Sequence, residues 1–237
     1  MAIIILVKLL AAHMVGDFIL QSKRSLEHQV EHRVLSYQLY IHVIIHGMLA
    51  MIIINDFNFW LYAVIISSSH LTIDLLKLYF IGESRSNKVM WFLADQILHL
   101  IVIVIIWKAY CHIDFTNILS ISDKYVIIIT GGIIITKPIG ILIRELISLF
   151  KHNPEDALPG AGMWIGILER MLIFGFIIVG QWEGIGFLLA AKTVFRFGDL
   201  TNTNDQAKAE YILIGTLLSF TLAIGTGLLC TYLFSFV

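Results

Sequence analysis

The stretch AAHMVGDFILQ, residues 11–21, places His13 and Asp17 inside a run that otherwise has the character of a membrane-spanning helix. The apolar run, residues 2–20, is long enough to cross the ~30 Å hydrocarbon layer of a bilayer. A His and an Asp that are four residues apart share one face of a helix. The stretch therefore predicts a membrane helix that presents two metal-ligand side chains in one direction.

The composition of the whole chain predicts an integral membrane protein. Of its 237 residues, 58% are hydrophobic and 14% are charged, and the mean hydropathy is +0.87, so the chain is far more apolar than a soluble domain. The formal net charge of −1 sums over both sides of a membrane and gives no reason to expect a nucleic-acid partner. We expect membrane lipid as a partner, no nucleic acid, and leave protein partners open.

Eight apolar segments are candidate spans, so the expected fold is an all-α, polytopic transmembrane helical bundle. The segments are residues 2–20, 38–54, 58–80, 90–110, 125–150, 163–181, 183–199 and 211–234. Lys137 and Pro138 interrupt the fifth segment, which is either a kinked span or a short span followed by an interfacial helix. The seventh segment is short and carries Lys192 and Arg196.

The domain organisation expected from this pattern is simple. The connections are short and no internal repeat is evident, which predicts one integral membrane domain over residues 1–237. Within it, we expect a four-helix half with a metal site, residues 1–112, and a half of supporting helices, residues 113–237.

Basic residues near the span ends predict the orientation, because Lys and Arg are enriched in cytoplasmic loops. With eight spans, Lys108 and Lys124 fall on one side. Eleven basic residues fall on the other side: Lys23, Arg24, Arg33, Lys77, Arg85, Lys88, Arg144, Lys151, Lys192, Arg196 and Lys208. We therefore expect both termini outside and four cytoplasmic connections: residues 21–37, 81–89, 151–162 and 200–210.

The spacing of His13 and Asp17 recurs in the next three segments. They contain the pairs His42/His46, His70/Asp74 and Asp95/His99. Counted from the span ends at ~1.5 Å per residue, the four pairs fall at one level in the cytoplasmic half of the membrane. We expect eight side chains to converge in the bundle as metal ligands: His13, Asp17, His42, His46, His70, Asp74, Asp95 and His99.

Two interpretations of these eight residues compete. Polar side chains in membrane helices often hydrogen-bond across a bundle as structural contacts. However, an aspartate at the centre of a membrane helix costs about 2.5 to 3.5 kcal/mol on insertion scales, and the sequence suggests no cation in the core of the first half to offset three of them. A bound divalent metal supplies the missing positive charge, so the metal interpretation is favoured.

The ligand types predict the kind of metal. Imidazole and carboxylate ligands suit zinc, manganese or iron, and five histidines with three aspartates exceed the needs of one tetrahedral site. We expect two divalent transition-metal ions, with zinc favoured over manganese and iron. One aspartate is expected to bridge the two ions, and which one is left open.

The motifs that carry these pairs resemble the domain-of-unknown-function 3307 family of bacterial integral membrane proteins. The resemblance rests on H-x3-DFxLQ from His13, HxxxH of the second segment, HLTIDLLK and FLADQILH. The distal segments GMWIGILER, AAKTVFRFGDL and AEYILIGTLLSF resemble the later part of full-length members. The ligand pattern is similar to membrane-bound metal-dependent hydrolases and, more distantly, to zinc phospholipase C and nuclease enzymes. The resemblance implies a bacterial inner membrane and assigns no activity.

The function predicted is a metal-dependent membrane hydrolase that acts from the cytoplasmic side on a lipid or lipid-linked substrate, phosphoesters included. The candidate catalytic residues are Asp17, Asp74 and Asp95. The candidates for binding a substrate anion are Lys77, Lys23, Arg24, Lys192 and Arg196, with topology anchoring or ion pairing as the alternative. Orientation of the metal ligands is expected from Gln21 and Gln96.

Other classes of function compete, and whether the protein is an enzyme is left open. The main alternative is a divalent-metal or proton-coupled transporter, which should show ionisable groups continuing to the outer face and a repeat-related broken helix. A structural or haem-carrying protein is a further alternative. Haem is disfavoured because its axial ligation gives no use for three aspartates.

Overall fold

The computed structural model describes residues 2–81, 84–111, 123–150, 160–197 and 206–236. In these ranges the regular elements are helices. Four of the basic residues that predict the orientation fall outside the description, either entirely or for their side chains: Lys151, Arg85, Arg196 and Lys208.

Ten α-helices form the described part of the chain. They are α1 (Ala2–Met14), α2 (Lys23–His32), α3 (Tyr37–Ile54), α4 (Trp60–Phe80), α5 (Arg85–Cys111), α6 (Asp123–Ile135), α7 (Lys137–Ile147), α8 (Ala161–Ile178), α9 (Trp182–Phe197) and α10 (Gln206–Leu233). A π-helix, Val15–Leu20, continues α1 directly. Short 3₁₀ segments follow α2, precede α4 and follow α10.

Seven helical segments in the described ranges are long and apolar enough to cross a membrane. They are Ile3–Leu20, Tyr37–Ile54, Phe57–Phe80, Ser86–Cys111, Asp123–Ile147, Ala161–Ile178 and Glu210–Phe236. These segments confirm the prediction of a helical, multi-pass membrane protein, and the expected count of about eight is close. The difference is α9, whose 16 residues reach ~24 Å, short of a ~30 Å hydrocarbon layer.

The fifth predicted span is interrupted where the sequence placed the interruption. Helix α6 ends at Ile135 and α7 begins at Lys137, with Thr136 between them in a non-helical conformation. Pro138 lies in the first turn of α7, where its missing N–H leaves no helical hydrogen bond unmade. Together α6 and α7 have the length and hydropathy of one span.

The chain divides into two compact units, Met1–Thr130 and Gly131–Val237. In the first unit, α1 and α4 each pack against both α3 and α5, which makes a four-helix bundle. In the second unit, α10 packs against α8 and α7, and α9 packs against α8. The expectation of a single integral membrane domain stays a prediction.

An apolar cluster fills one end of the four-helix bundle, and we call it the apolar plug. Its buried members are Leu9, Ala50, Ile54, Phe59, Ala63, Ile66, Ile103, Ile106 and Tyr110. The hydroxyl of Tyr110 donates to a carboxylate oxygen of Asp56 at 2.5 Å, beyond the end of α3. We call the opposite end of the bundle, formed by residues 21–36, 77–81 and 84–88, the basic end, because it contains several basic residues: Lys23, Arg24, Arg33, Lys77 and Lys88.

Candidate metal centre

The eight ligand-type side chains of the sequence pattern lie together inside the four-helix bundle. The five imidazoles are between 2% and 4% exposed, and each directs its Nε2 atom towards an aspartate. Each pair shares one helix face, as the spacing predicted, and the four faces meet. Whether these residues bind metal stays a prediction.

Asp17 lies among four of the five imidazoles. Its Oδ1 is 2.9 Å from His46 Nε2 and 3.3 Å from His42 Nε2. The same oxygen is 3.4 Å from His70 Nε2, and Oδ2 is 3.6 Å from His13 Nε2. This carboxylate therefore faces nitrogens from three different helices.

Asp74 faces the remaining side of the cluster and divides its two oxygens between neighbours. Its Oδ2 is 3.6 Å from His70 Nε2 and 3.8 Å from His42 Nε2. Its Oδ1 is 3.6 Å from His99 Nε2. The two oxygens of Asp74 therefore point to different imidazoles, and which aspartate would bridge two ions stays open.

Asp95 is held by a cation that the sequence analysis placed elsewhere. Its Oδ1 is 3.5 Å from His99 Nε2, whereas its Oδ2 is 2.9 Å from Lys77 Nζ. The expectation that no cation offsets the three aspartates is therefore wrong. It failed because Lys77 lies one turn beyond Asp74 on α4 and reaches across to α5, a contact that depends on how the two helices are packed.

Six buried side-chain polar atoms in the described residues have no hydrogen-bond partner, and all six belong to this cluster. They are His13 Nε2, Asp17 Oδ1, His46 Nε2, Asp74 Oδ2, Asp95 Oδ1 and His99 Nε2. Although His46 Nε2 and Asp17 Oδ1 are only 2.9 Å apart, their orientation is not that of a hydrogen bond. Buried polar atoms are normally satisfied, and cations bound among them would accept the lone pairs of these atoms.

The ligand atoms form three overlapping groups in which the atoms lie within 4.8 Å of one another. One group has four members: His13, Asp17, His46 and His70. A second has His42, His70 and Asp74, and a third has Asp74, Asp95 and His99. His70 and Asp74 each belong to two groups. The arrangement therefore has room for more than one cation.

Local backbone structure brings Asp17 to the histidines of α3. Where α1 gives way to the π-helix at Val15, the wider turn shifts the side chains that follow, and such π segments are frequent at functional sites. Gly16, in this segment, lies directly against the His46 ring, so a Cβ at this position would overlap the ring. Sequence analysis did not single out Gly16, although a glycine immediately before a ligand is a signal for such a close approach.

Gln96 connects two of the aspartates, and its role in orienting metal ligands stays a prediction. Its amide nitrogen donates to Asp17 Oδ2 at 3.2 Å and to Asp95 Oδ2 at 3.1 Å. Gln21 is the residue that directly follows the π-helix, and its side chain is half-buried. Within the described residues, no side-chain hydrogen bond joins Gln21 to the eight ligand-type residues.

A small cavity separates the cluster from the apolar plug. It has a volume of about 20 Å³, enough for one water molecule. Four imidazoles line one side: His13, His46, His70 and His99. The rest of the lining is apolar apart from Ser69, which the sequence analysis also missed. The cluster is thus bounded by apolar packing towards the Asp56 end of the bundle.

The other predicted anion-binding residues lie away from the cluster or in the second unit. Lys23 and Arg24 are exposed in the first turn of α2 at the basic end. Lys192 forms an ion pair of 2.6 Å with Glu169, in keeping with the ion-pairing alternative. The side chain of Arg196 lies outside the described residues.

Arg170 is the buried cation of the second unit. It is 3% exposed and donates to the carbonyl oxygens of Ile135 and Thr136 and, at 3.4 Å, to the hydroxyl of Ser219. Both carbonyls lie at the break between α6 and α7, where the carbonyl of Thr136 also accepts from the backbone N–H of Gly140 at 3.2 Å. Arg170 therefore stabilises the interrupted span.

Fold and centre together define a helical, multi-pass membrane protein with a buried cluster of five imidazoles and three carboxylates in its first four-helix bundle. The chain belongs to the family described as Protein of unknown function (DUF3307), whose model matches residues 5–128. This match contains all eight ligand-type residues. The resemblance of the distal segments to full-length members stays an expectation. No curated protein and no solved structure matches the chain.

Proposed function

We propose that this protein is a metal-dependent hydrolase of the bacterial inner membrane that acts on a lipid or lipid-linked substrate from the cytoplasmic side. The observation that supports it most is the set of six unpartnered polar atoms that face one another inside the bundle. Leaving such atoms unsatisfied in an apolar interior costs about 1 to 3 kcal/mol for each group. Bound metal ions remove that cost.

The proposal includes two divalent ions, with zinc favoured by the donor set. The group of His13, Asp17, His46 and His70 has four ligand atoms, enough to complete a tetrahedral site. The group of Asp74, Asp95 and His99 has three and leaves a position for water or substrate. We assign the bridging role to Asp74, because its Oδ2 faces His70 of the four-membered group and its Oδ1 faces His99 of the three-membered group.

The two ions would supply an activated water and a Lewis acid for an ester oxygen. The residues of the chain hold these groups in place. Gln96 binds Asp17 Oδ2 and Lys77 binds Asp95 Oδ2, which leaves Oδ1 of each carboxylate directed towards imidazoles. Asp95 is the aspartate that contacts Lys77 and lies nearest to the basic end. We therefore propose that Asp95 accepts a proton from the attacking water.

The substrate is proposed to enter from the basic end. Lys77 is 30% exposed there while its ammonium contacts Asp95, so a head group at the membrane surface can meet the centre without crossing the bundle. Exposed Lys23 and Arg24 lie at the same end and favour its cytoplasmic placement. The N-terminus is then outside, and the C-terminus is also outside if α9 crosses the membrane.

The transporter alternative is less well supported. A transported ion needs a polar route across the membrane, and the described part of the first bundle has the apolar plug on the far side of the cluster. A hydrolase needs only a cavity that is open to cytoplasmic water and lipid.

The proposal is tested by metal content together with lipid analysis. Purified protein should retain close to two equivalents of a transition metal. Cells that carry the wild type should differ in lipid or lipid-linked species from cells that carry Asp95→Ala, with total cellular metal unchanged. Protein that is washed free of adventitious ions, holds no metal and gains no thermal stability when metal is returned would contradict the proposal.

A further inference from the structure

We infer that the reacting group of the substrate is a monoanion, a phosphodiester, and that a neutral carboxylic ester is a poor substrate. This inference rests on the proposed two-metal hydrolase and names its substrate class. It follows from the net charge of the metal centre, which is set by the carboxylates and the ammonium of the chain together with the bound ions.

The charged groups of the centre are three carboxylates and one ammonium. In the described residues, the ion pairs of Asp17, Asp74 and Asp95 involve the five imidazoles and Lys77. Imidazoles that bind metal are neutral. The chain therefore contributes a net charge of two negative units, and two divalent ions reverse this to two positive units.

A net charge of two units is energetically unfavourable at this centre, because the centre is buried in an apolar interior. The imidazoles and Asp95 are at most 4% exposed, the neighbouring cavity has room for only about one water, and the plug beyond it is apolar. An uncompensated charge in such surroundings costs several kcal/mol. One hydroxide from the attacking water compensates one positive unit, and a monoanionic substrate compensates the other.

The other ester classes leave the charge unbalanced. A neutral ester together with the hydroxide leaves one positive unit, and a dianionic phosphomonoester leaves one negative unit. A phosphodiester with its single charge leaves none. It also fits a membrane site, since a diester phosphate can join a lipid to a head group at the membrane surface.

Lys77 determines which substrate charge neutralises the centre, because it contributes the ammonium among the charged groups of the described residues. Its Nζ binds Asp95 Oδ2 at 2.9 Å, and its partial exposure of 30% places it between the centre and the basic end. Without this ammonium, the charge to be compensated falls by one unit, so a neutral ester would then suit the centre better than a diester.

The reaction consumes one water molecule. Its oxygen bonds to phosphorus, and the bond between phosphorus and the leaving alcohol oxygen breaks. One proton of the water is released to solvent when the hydroxide forms, and the other is accepted at Asp95 and passes to the alcohol. The products are an alcohol and a phosphomonoester.

The experiment compares two soluble probes with the metal-loaded protein in detergent: bis(4-nitrophenyl) phosphate, a monoanionic diester, and 4-nitrophenyl butyrate, a neutral ester. Hydrolysis of either probe releases 4-nitrophenol, so both rates are measured by the same absorbance. The wild type should hydrolyse the diester with a rate increase over the buffer reaction at least tenfold larger than that for the neutral ester. Lys77→Gln should reduce this ratio at least tenfold.

The matched control is Lys108→Gln, which removes an exposed lysine at the other end of α5 and should leave the ratio unchanged. A wild type that retains two metal ions and prefers the neutral ester would overturn the inference while leaving a hydrolase in place. So would an unchanged ratio in a Lys77→Gln protein that still holds both ions. A protein that binds no metal would instead contradict the proposed function itself.

Discussion

The oxygens of two aspartates in the centre have different roles, and this difference is visible at the level of single atoms. In Asp17 and Asp95, one oxygen accepts a hydrogen bond from Gln96 and the other faces the imidazoles without a partner. In Asp74, the two oxygens face imidazoles of different groups. A residue shared by two metal positions should matter to both, whereas a histidine serves one ion through one nitrogen.

We therefore expect His46→Ala and Asp74→Ala to differ in metal content. The histidine variant should lose about one of the two equivalents, because His46 belongs to a single group. The aspartate variant should lose more than one, because the two oxygens of Asp74 face His70 and His99, which are assigned to different ions. Metal analysis of the purified proteins measures this, with Asp123→Asn in the first turn of α6 as the control. Equal losses would contradict the bridging role of Asp74.

The close approach of Gly16 to His46 gives a second prediction at this scale. Gly16→Ala introduces a Cβ that overlaps the His46 ring, and such overpacking typically costs about 1 to 3 kcal/mol. We expect a lower unfolding temperature and weaker metal binding. The control is Gly175→Ala, where a Cβ would have no neighbour within 4 Å. A Gly16→Ala protein with unchanged metal affinity would show that the ring can move without harm.

At the scale of elements, the sequence predicted the parts whose position depends on one helix alone. The spacing of four residues fixes which side chains share a face, and the apolar run fixes that the helix is in a membrane. It did not predict the contacts that depend on the packing of two helices. The reach of Lys77 to Asp95, the fit of Gly16 against His46 and the bond from Gln96 to Asp17 all require the register between neighbouring helices.

The break between α6 and α7 shows the same limit. Pro138 predicted an interruption, but nothing in the local sequence indicated that Arg170 would donate to the two carbonyls at this break. The π-helix at Val15–Leu20 was also not predicted, because its residues are compatible with an ordinary α-helix. Both features place a polar group within a span, and both depend on a partner from another helix.

Removal of the Arg170 side chain should destabilise the second unit. Arg170→Met leaves the carbonyls of Ile135 and Thr136 without this donor, and we expect a loss on the order of 3 kcal/mol in the free energy of unfolding. The thermal unfolding temperature in detergent measures it. Arg144→Met, which changes an exposed arginine that pairs with its neighbour Glu145, should cost less than about 0.5 kcal/mol. Similar losses in both variants would contradict the capping role.

At the scale of the whole molecule, the distribution of polar groups along the first bundle separates the two main functions. Towards the basic end, Asp95 of the centre contacts Lys77, whose side chain is partly exposed. Towards the other end, the small cavity is followed by the apolar plug and by the hydrogen bond between Tyr110 and Asp56. The centre therefore has polar surroundings on one side and apolar packing on the other, which is typical of a site open to one face of the membrane.

We therefore expect no protein-dependent metal flux when the wild type is reconstituted in sealed liposomes. A dehydrated divalent ion that passes the plug would lie among Leu9, Ile54, Ile103 and Ile106 with no polar ligand, and the cost of such a buried charge is several kcal/mol. A fluorescent zinc indicator inside the liposomes measures entry, with an ionophore as the positive control and protein-free liposomes as the negative one. The same liposomes, prepared with bacterial lipids, should show protein-dependent lipid turnover. Metal entry that the wild type supports and Asp95→Ala does not, without any lipid turnover, would make the transporter the better description.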